Sequence, residues 1–181
     1  TTRVPLRGVL HRQDAQIIFI DTPGIHKPRH ALGQFMVKLA NQTIPAADVV
    51  CLMVDISMPP SKLDRQIAAQ VRRAELPHLL VLNKVDLPPR QSHLDAYRDL
   101  GPWDMEVAVS ALKHEGLDML LEEIVQRLPM GVPLYPDDWL TDHNVQFMAA
   151  ELVREKLLVL TQQEVPHSVA VEVEEWEERE Q

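Results

Sequence analysis

The chain carries one cysteine in 181 residues. Cys51 therefore offers no intramolecular disulfide, and the composition fits a reducing cytosol. Aromatic residues make up only 4% of the sequence against 45% apolar residues overall, so a core must be built from Leu, Val, Ile, Met and Ala. No apolar stretch approaches the ~20 residues that a membrane span requires, and no secretory leader is expected. The eight histidines form no Cys/His cluster at ligand spacing, so they give no signal for a metal site. Basic charge is also scarce: 18 Lys and Arg stand against 27 Asp and Glu, for a formal net charge of −9. A chain so acidic has no bulk attraction for nucleic acid, whose binding is dominated by phosphate neutralisation. Much of the acidity is terminal, with Glu172, Glu174, Glu175, Glu177, Glu178 and Glu180 crowding the last ten positions. A further absence concerns phosphate binding: no Gly-x-x-x-x-Gly-Lys-Ser/Thr loop occurs anywhere in the sequence.

What is present alternates short apolar runs with helical patterns, as β-α-β units and a parallel sheet do. A chain of this length accommodates one α/β domain and a small appendage, and buries about 70% of its extended-chain surface. The pattern predicts strands near 4–12, 15–21, 47–55, 77–83 and 105–110, and helices near 31–43, 61–74, 90–99 and 116–128. A short Gln13-Asp14 turn makes the first two strands an antiparallel hairpin; the others are expected to run parallel on right-handed crossovers. Cys51, inside Val49–Val54, reads as a small core residue. Pro129, Pro133 and Pro136 then interrupt the pattern, because proline at that density continues neither a helix nor a central strand. Beyond this linker, a helix is expected over about 143–162, with Val145, Ala149, Leu152, Val153, Leu157 and Leu160 as its apolar stripe. Val169, Val171 and Val173 alternate with polar or small residues as a half-solvated strand does.

Two tetrapeptides sit where apolar strands end, the edge at which open α/β sheets bind ligands. Asn83-Lys84-Val85-Asp86 follows Leu79–Leu82. The Asp86 carboxylate can accept paired hydrogen bonds from the N1–H and 2-amino group of guanine, a pair that adenine does not offer. Asn83 can brace the neighbouring loops, and the Lys84 stem can lie along a purine face. Ser110-Ala111-Leu112 closes the next strand, where a backbone N–H can meet the base carbonyl. Asp21-Thr22-Pro23-Gly24 follows Ile17–Ile20. Asp21 can hold magnesium through water, and the Gly24 N–H can approach a γ-phosphate. Each stretch alone is also ordinary turn chemistry; their order and their common position after strands carry the nucleotide reading. Ile25 stands where many GTPases place a glutamine that orients the attacking water. An isoleucine side chain cannot do this, and the polar residues around it (His26, Lys27, Arg29, His30) read as a solvated loop, so the catalytic group is not identified. Thr2, and less favourably Thr1, suits magnesium coordination ahead of the hairpin. Trp103, Trp139 and Trp176 are too scattered for a base-stacking platform and read as packing residues.

Taken together, Thr1-Thr2-Arg3, Asp21 through His26, Asn83 through Asp86 and Ser110-Ala111 resemble the Era family, bacterial Ras-like GTPases with a carboxyl-terminal KH domain. The tRNA-modification and Der GTPases share several of these residues. The stretches Tyr135-Pro136-Asp137-Asp138, Leu140-Thr141-Asp142, Phe147 through Glu151 and Arg154-Glu155-Lys156 are similar to Era's entry into its KH domain. The resemblance implies a P-loop-NTPase-like (Ras-like) α/β sheet with flanking helices over 1–128, a proline-rich linker over 129–141 and the beginning of an RNA-binding KH domain over 142–181. It also implies GTP or GDP and Mg2+ as ligands, with Thr2 and Asp21 toward the metal. The nucleotide would be held by Asp21, Thr22, Pro23, Gly24, Ile25, Asn83, Lys84, Val85, Asp86, Ser110, Ala111 and Leu112. The partners implied are small-subunit ribosomal RNA and the 30S subunit. The setting implied is the cytoplasm, with peripheral association at the inner face of the cell membrane as an option.

By the same resemblance, the first strand, the phosphate loop and most of the KH domain lie outside this sequence, including the Gly-x-x-Gly loop that clamps RNA backbone. A sheet lacking that first strand would leave two apolar edges open, so the chain by itself is expected to be unstable or to aggregate, and to lack activity. The alternatives are an RNA- or ribosome-binding interaction module and a related GTPase of the tRNA-modification or Der type.

Overall fold

The computed structural model describes residues 6–21, 44–88, 90–141, 144–160 and 171–176. The expected helix over 31–43 lies outside these residues. Chain contacts group the rest into two units, one formed by the first 24 residues with 133–181 and the other by residues 25–132.

In the first unit, β1 (Leu6–His11) and β2 (Gln16–Asp21) pair antiparallel, with Leu6 opposite Asp21 and His11 opposite Gln16. The Arg12 N–H donates to the Ala15 carbonyl at 2.9 Å and closes the two-residue turn. The proline-rich segment is tied to this hairpin by one side chain. Gln16 Oε1 accepts from the N–H groups of Leu134 (2.7 Å) and Tyr135 (2.9 Å), while its Nε2 donates to the Tyr135 carbonyl at 2.8 Å. His11 Nε2 lies 2.8 Å from the Trp139 carbonyl, and the Val9 N–H donates to Leu140 at 2.8 Å. Prolines cannot supply the donors for a ladder, so side chains and single backbone bonds do the fastening.

Helix α4 (Val145–Leu160) follows, with the Asn144 side chain accepting from the Phe147 N–H at 2.8 Å as an N-terminal cap. Among its described side chains the buried ones are Ala150 and Arg154, four residues apart and so on one face. The stripe expected to be buried is instead exposed at Val145, Leu152, Val153, Leu157 and Leu160. Residues 171–176 form no strand: the alternation is present, but no ladder partner stands beside it among the described residues. Val169 lies outside them.

The second unit holds the parallel sheet. β3 (Val50–Asp55), β4 (His78–Asn83) and β5 (Met105–Val109) lie in the order β3-β4-β5. The register sets Asp55 opposite Asn83 and Asn83 opposite Val109. Helix α1 (Lys62–Arg73) opens on a capping box: Ser61 Oγ accepts from the Asp64 N–H at 3.2 Å, and the Asp64 carboxylate accepts from the Ser61 N–H at 2.7 Å. Its Leu63, Ile67, Ala68 and Val71 pack with Leu52, Val54 and Ile56 of the β3 region and with Leu80 and Leu82 of β4, joined by Tyr97 and Leu100. Tyr97 belongs to α2 (Gln91–Arg98), and α3 (Leu117–Val125) follows β5. β4 is buried on both faces, as a central parallel strand should be. Cys51 faces outward and is exposed, against the expectation of a core residue. Alternation turns Leu52 and Val54 toward α1 and Cys51 and Met53 the other way. Of the tryptophans, Trp103 packs against the core, whereas Trp139 and Trp176 are exposed.

From β1 to α4 the described strands and α-helices follow the expected order, with the strands divided between a two-stranded and a three-stranded sheet. No helix among the described residues is long and apolar enough to cross a membrane.

Candidate functional site

Asn83 ends β4, and the chain must then turn sharply outward. Lys84 does this with φ at 71°, a left-handed conformation that a residue with a long side chain seldom adopts. Asn83 Oδ1 accepts from the Lys84 N–H at 2.8 Å and from the Ala111 N–H at 3.1 Å. One amide oxygen therefore joins the loop after β4 to the loop after β5. The backbone continues the link, with the Val85 N–H donating to Val109 at 3.2 Å and the Leu87 N–H returning to Lys84 at 3.1 Å.

Ser110 is fully buried at the end of β5. A buried hydroxyl needs partners, and this one has two. It donates to Asp86 Oδ1 at 2.6 Å and accepts from the Lys113 N–H at 3.2 Å. The bond from Ser110, aided by the positive charges of Lys113 and Lys84, holds the Asp86 carboxyl below its ordinary range. Asp86 is thus an oriented anion with Oδ1 engaged. The loop bearing Ser110, Ala111 and Leu112 is closed by paired backbone bonds between Ser110 and Glu115, at 3.0 and 3.1 Å. Gly116 then enters α3 at φ 74°, where a Cβ would stand 2.2 Å from the Ala108 carbonyl oxygen. Leu112 is strongly exposed on this loop.

The sequence reading did not single out Asp55, at the end of β3. Its Oδ2 lies 2.6 Å from Lys84 Nζ, and its Oδ1 accepts from the Ser57 N–H (2.9 Å) and hydroxyl (2.6 Å). Burial pushes this carboxyl up, but the bonds from Lys84 and Ser57 outweigh it, and the net shift is downward. In sequence Asp55 is only an acidic residue closing an apolar run; the β3–β4 register, with Asp55 opposite Asn83, is what brings it to the loop.

The structure therefore brings together Asn83, Lys84, Val85, Asp86, Ser110 and Ala111, with Asp55 added. Such an arrangement presents a fixed carboxylate and nearby backbone donors at the carboxyl edge of a parallel sheet, and it suits a planar ligand with adjacent N–H donors. Asp21 belongs to the other unit, where it is the exposed last residue of β2. Thr2, Thr22, Pro23, Gly24 and Ile25 lie outside the described residues. Among the described residues no group of three or more His, Cys, Asp or Glu could hold a metal ion.

Parallel and antiparallel strands with flanking helices match a fold of the Ras-like, P-loop-NTPase type. Residues 1–84 match the family described as 50S ribosome-binding GTPase. The chain is 40% identical over 183 residues to GTPase Era of Ruminiclostridium cellulolyticum, covering 99% of this chain and 61% of that protein. GTPase Era of Thermoanaerobacter sp. is 38% identical over the same shares. The crystal structure of a point variant of Aquifex aeolicus Era bound to GDP·AlF4− superposes with a TM-score of 0.81 at 38% identity, covering 96% of this chain and 61% of that one. By sequence the chain is similar to these Era proteins, and it spans about three fifths of their length.

Proposed function

We propose that the full-length protein is a GTP-hydrolysing switch of the Era kind, whose guanine selectivity resides in the loops after β4 and β5. The observation that carries this is the Ser110–Asp86 hydrogen bond at 2.6 Å together with the Asn83 brace to Ala111. A carboxylate held ionised and aimed by a buried hydroxyl matches the N1–H and 2-amino pair of guanine. A site built on such pairing rejects ligands lacking the pair by about 10⁴-fold or more. The Aquifex relative with bound GDP·AlF4− supports the same ligand class.

In this reading Asn83, Lys84, Val85 and Asp86 surround the base, and Ser110, Ala111 and Leu112 meet its carbonyl side. Asp21, Thr22, Pro23, Gly24 and Ile25 attend the γ-phosphate. Mg2+ is usually held by one or two carboxylates plus substrate phosphates rather than by an all-protein cage. An exposed Asp21 at a strand end, with Thr2, has suitable donor chemistry for it. When bound, the ion neutralises developing charge on the phosphate oxygens. The remaining assignments follow the resemblance. Residues 1–128 form the nucleotide domain, 129–141 the linker and 142–181 the start of a KH-type RNA-binding domain. The partners are small-subunit ribosomal RNA and the 30S subunit; the setting is cytoplasmic, with peripheral membrane contact as a variant.

Calorimetry on the full-length protein with GTP, GDP and ATP tests the nucleotide assignment. Guanine nucleotides are expected to bind and ATP is not; equal binding of ATP would remove the base-reading role. Sedimentation with purified subunits separates the ribosomal partners, with 30S retention expected in the presence of GTP. Retention by 50S alone would favour the broader family description instead.

A further inference from the structure

Asp55 stands directly opposite Asn83 in the β3–β4 register, and its carboxylate is shared between two tasks. Oδ1 accepts from the Ser57 N–H and hydroxyl at 2.9 and 2.6 Å and so closes the turn after β3. Oδ2 holds the Lys84 ammonium at 2.6 Å. The turn itself is fixed from α2. Tyr97 Oη donates to the Asp55 carbonyl at 3.4 Å, and His93 Nδ1 lies 3.1 Å from the Ile56 carbonyl. Lys84 is equally constrained at its base, by φ 71° and by the Asn83 Oδ1 bond to its N–H. The lysine stem is thus held at both ends. A free lysine side chain samples many rotamers, and ordering it when a ligand arrives weakens binding.

We infer that Asp55 is a positioning residue for guanine recognition: by anchoring the Lys84 ammonium it holds the lysine stem in place before the purine arrives. This rests on the base-reading assignment of the Asn83–Asp86 loop. Asp55 acts through Lys84 and does not itself read the base. Its charge, not only its hydrogen-bonding shape, is therefore required. Asparagine at this position retains an acceptor for Ser57 while losing the ion pair, so the turn and the anchor can be separated.

The test uses the full-length protein, stopped-flow release of a fluorescent GDP and calorimetric affinities for GDP and IDP, whose base lacks the 2-amino group. Asp55→Asn is expected to speed GDP release about three- to tenfold, since the pair is half exposed and its contribution is moderate. Lys84→Ala, an exposed position that keeps the turn intact, is expected to do the same, and the double variant no more than Lys84→Ala alone. The preference for GDP over IDP should stay within about twofold of wild type in all three, because Asp86 reads the amino group. Wild-type release rates in Asp55→Asn, or losses that multiply in the double variant, would overturn the inference. Asp86→Asn serves as the control. If it leaves the GDP-over-IDP preference unchanged, the base-reading assignment itself falls, an outcome distinct from failure of the Asp55 role.

Discussion

Ser110 is a polar side chain buried at the end of an apolar strand, and its hydroxyl is committed to Asp86. Removing it leaves Asp86 without its short donor and opens a small space beneath the loop. Ser110→Ala is expected to weaken GDP binding about three- to tenfold at pH 7. It should also move the acid limb of binding. The Asp86 carboxyl lies below its ordinary value of 3.8, so the ionised form persists under acid conditions and base recognition is lost only as pH falls through that depressed value. Without the Ser110 bond the loss begins at higher pH, nearer the ordinary value. Carboxyl chemical shifts of Asp86 across an acid titration measure this, and an unchanged midpoint in Ser110→Ala would deny Ser110 its role. The placement of Asn83, Asp86 and Ser110 at neighbouring strand ends was legible in the sequence because residue type and strand-end position coincide there. Asp55 was not, since a lone acidic residue after a strand carries no spacing signal. Only the fold, by setting β3 beside β4, brings it to Lys84.

Among the elements, each described strand and α-helix falls within about three residues of its expected ends, because apolar period and turn chemistry agree in this part of the chain. The helix after β5 illustrates the stop and start signals. Gly116 opens it in a left-handed conformation and Pro129 follows its last turn. A side chain at position 116 would meet the Ala108 carbonyl, so Gly116→Ala is expected to destabilise the second unit by about 1–3 kcal/mol, read as a lower denaturant midpoint. No change in midpoint would mean that the turn relaxes freely. The hairpin offers a second case. Gln16 makes three hydrogen bonds to the backbone of Leu134 and Tyr135, a fastening no periodicity announces. Gln16→Leu is expected to free the Leu134 and Tyr135 amides for hydrogen exchange, with a loss of about 1–3 kcal/mol in local protection. The missing strand over 171–176 and the exposed stripe of α4 show the opposite limit: alternation states which residues could face a partner, not that the partner is present.

At the scale of the molecule, β4 is among the most deeply buried of the described elements, with Leu79, Leu80, Val81 and Leu82 almost entirely shielded. A strand paired on both sides and covered on both faces should be the last to exchange its amides. Leu80→Ala is expected to cost about 2–5 kcal/mol through lost packing and the cavity left behind; a loss below about 1 kcal/mol in equilibrium unfolding would place the stabilising core elsewhere. The same strand ends at Asn83, where the loop proposed to read the base begins. The acidic balance was legible at this scale, as was the α/β class. The division of the strands into two sheets was not, because strand order alone does not state which edges pair.

The central claim is that Asp86 reads guanine from the end of this strand pair. Nucleotide competition on the full-length Asp86→Asn variant, with GDP and XDP against a fluorescent nucleotide, tests it most directly. An amide in place of the carboxylate offers a donor suited to the 2-carbonyl of xanthine, so the preference should move from GDP toward XDP by roughly a hundredfold or more. Retention of the wild-type preference for GDP would contradict the account.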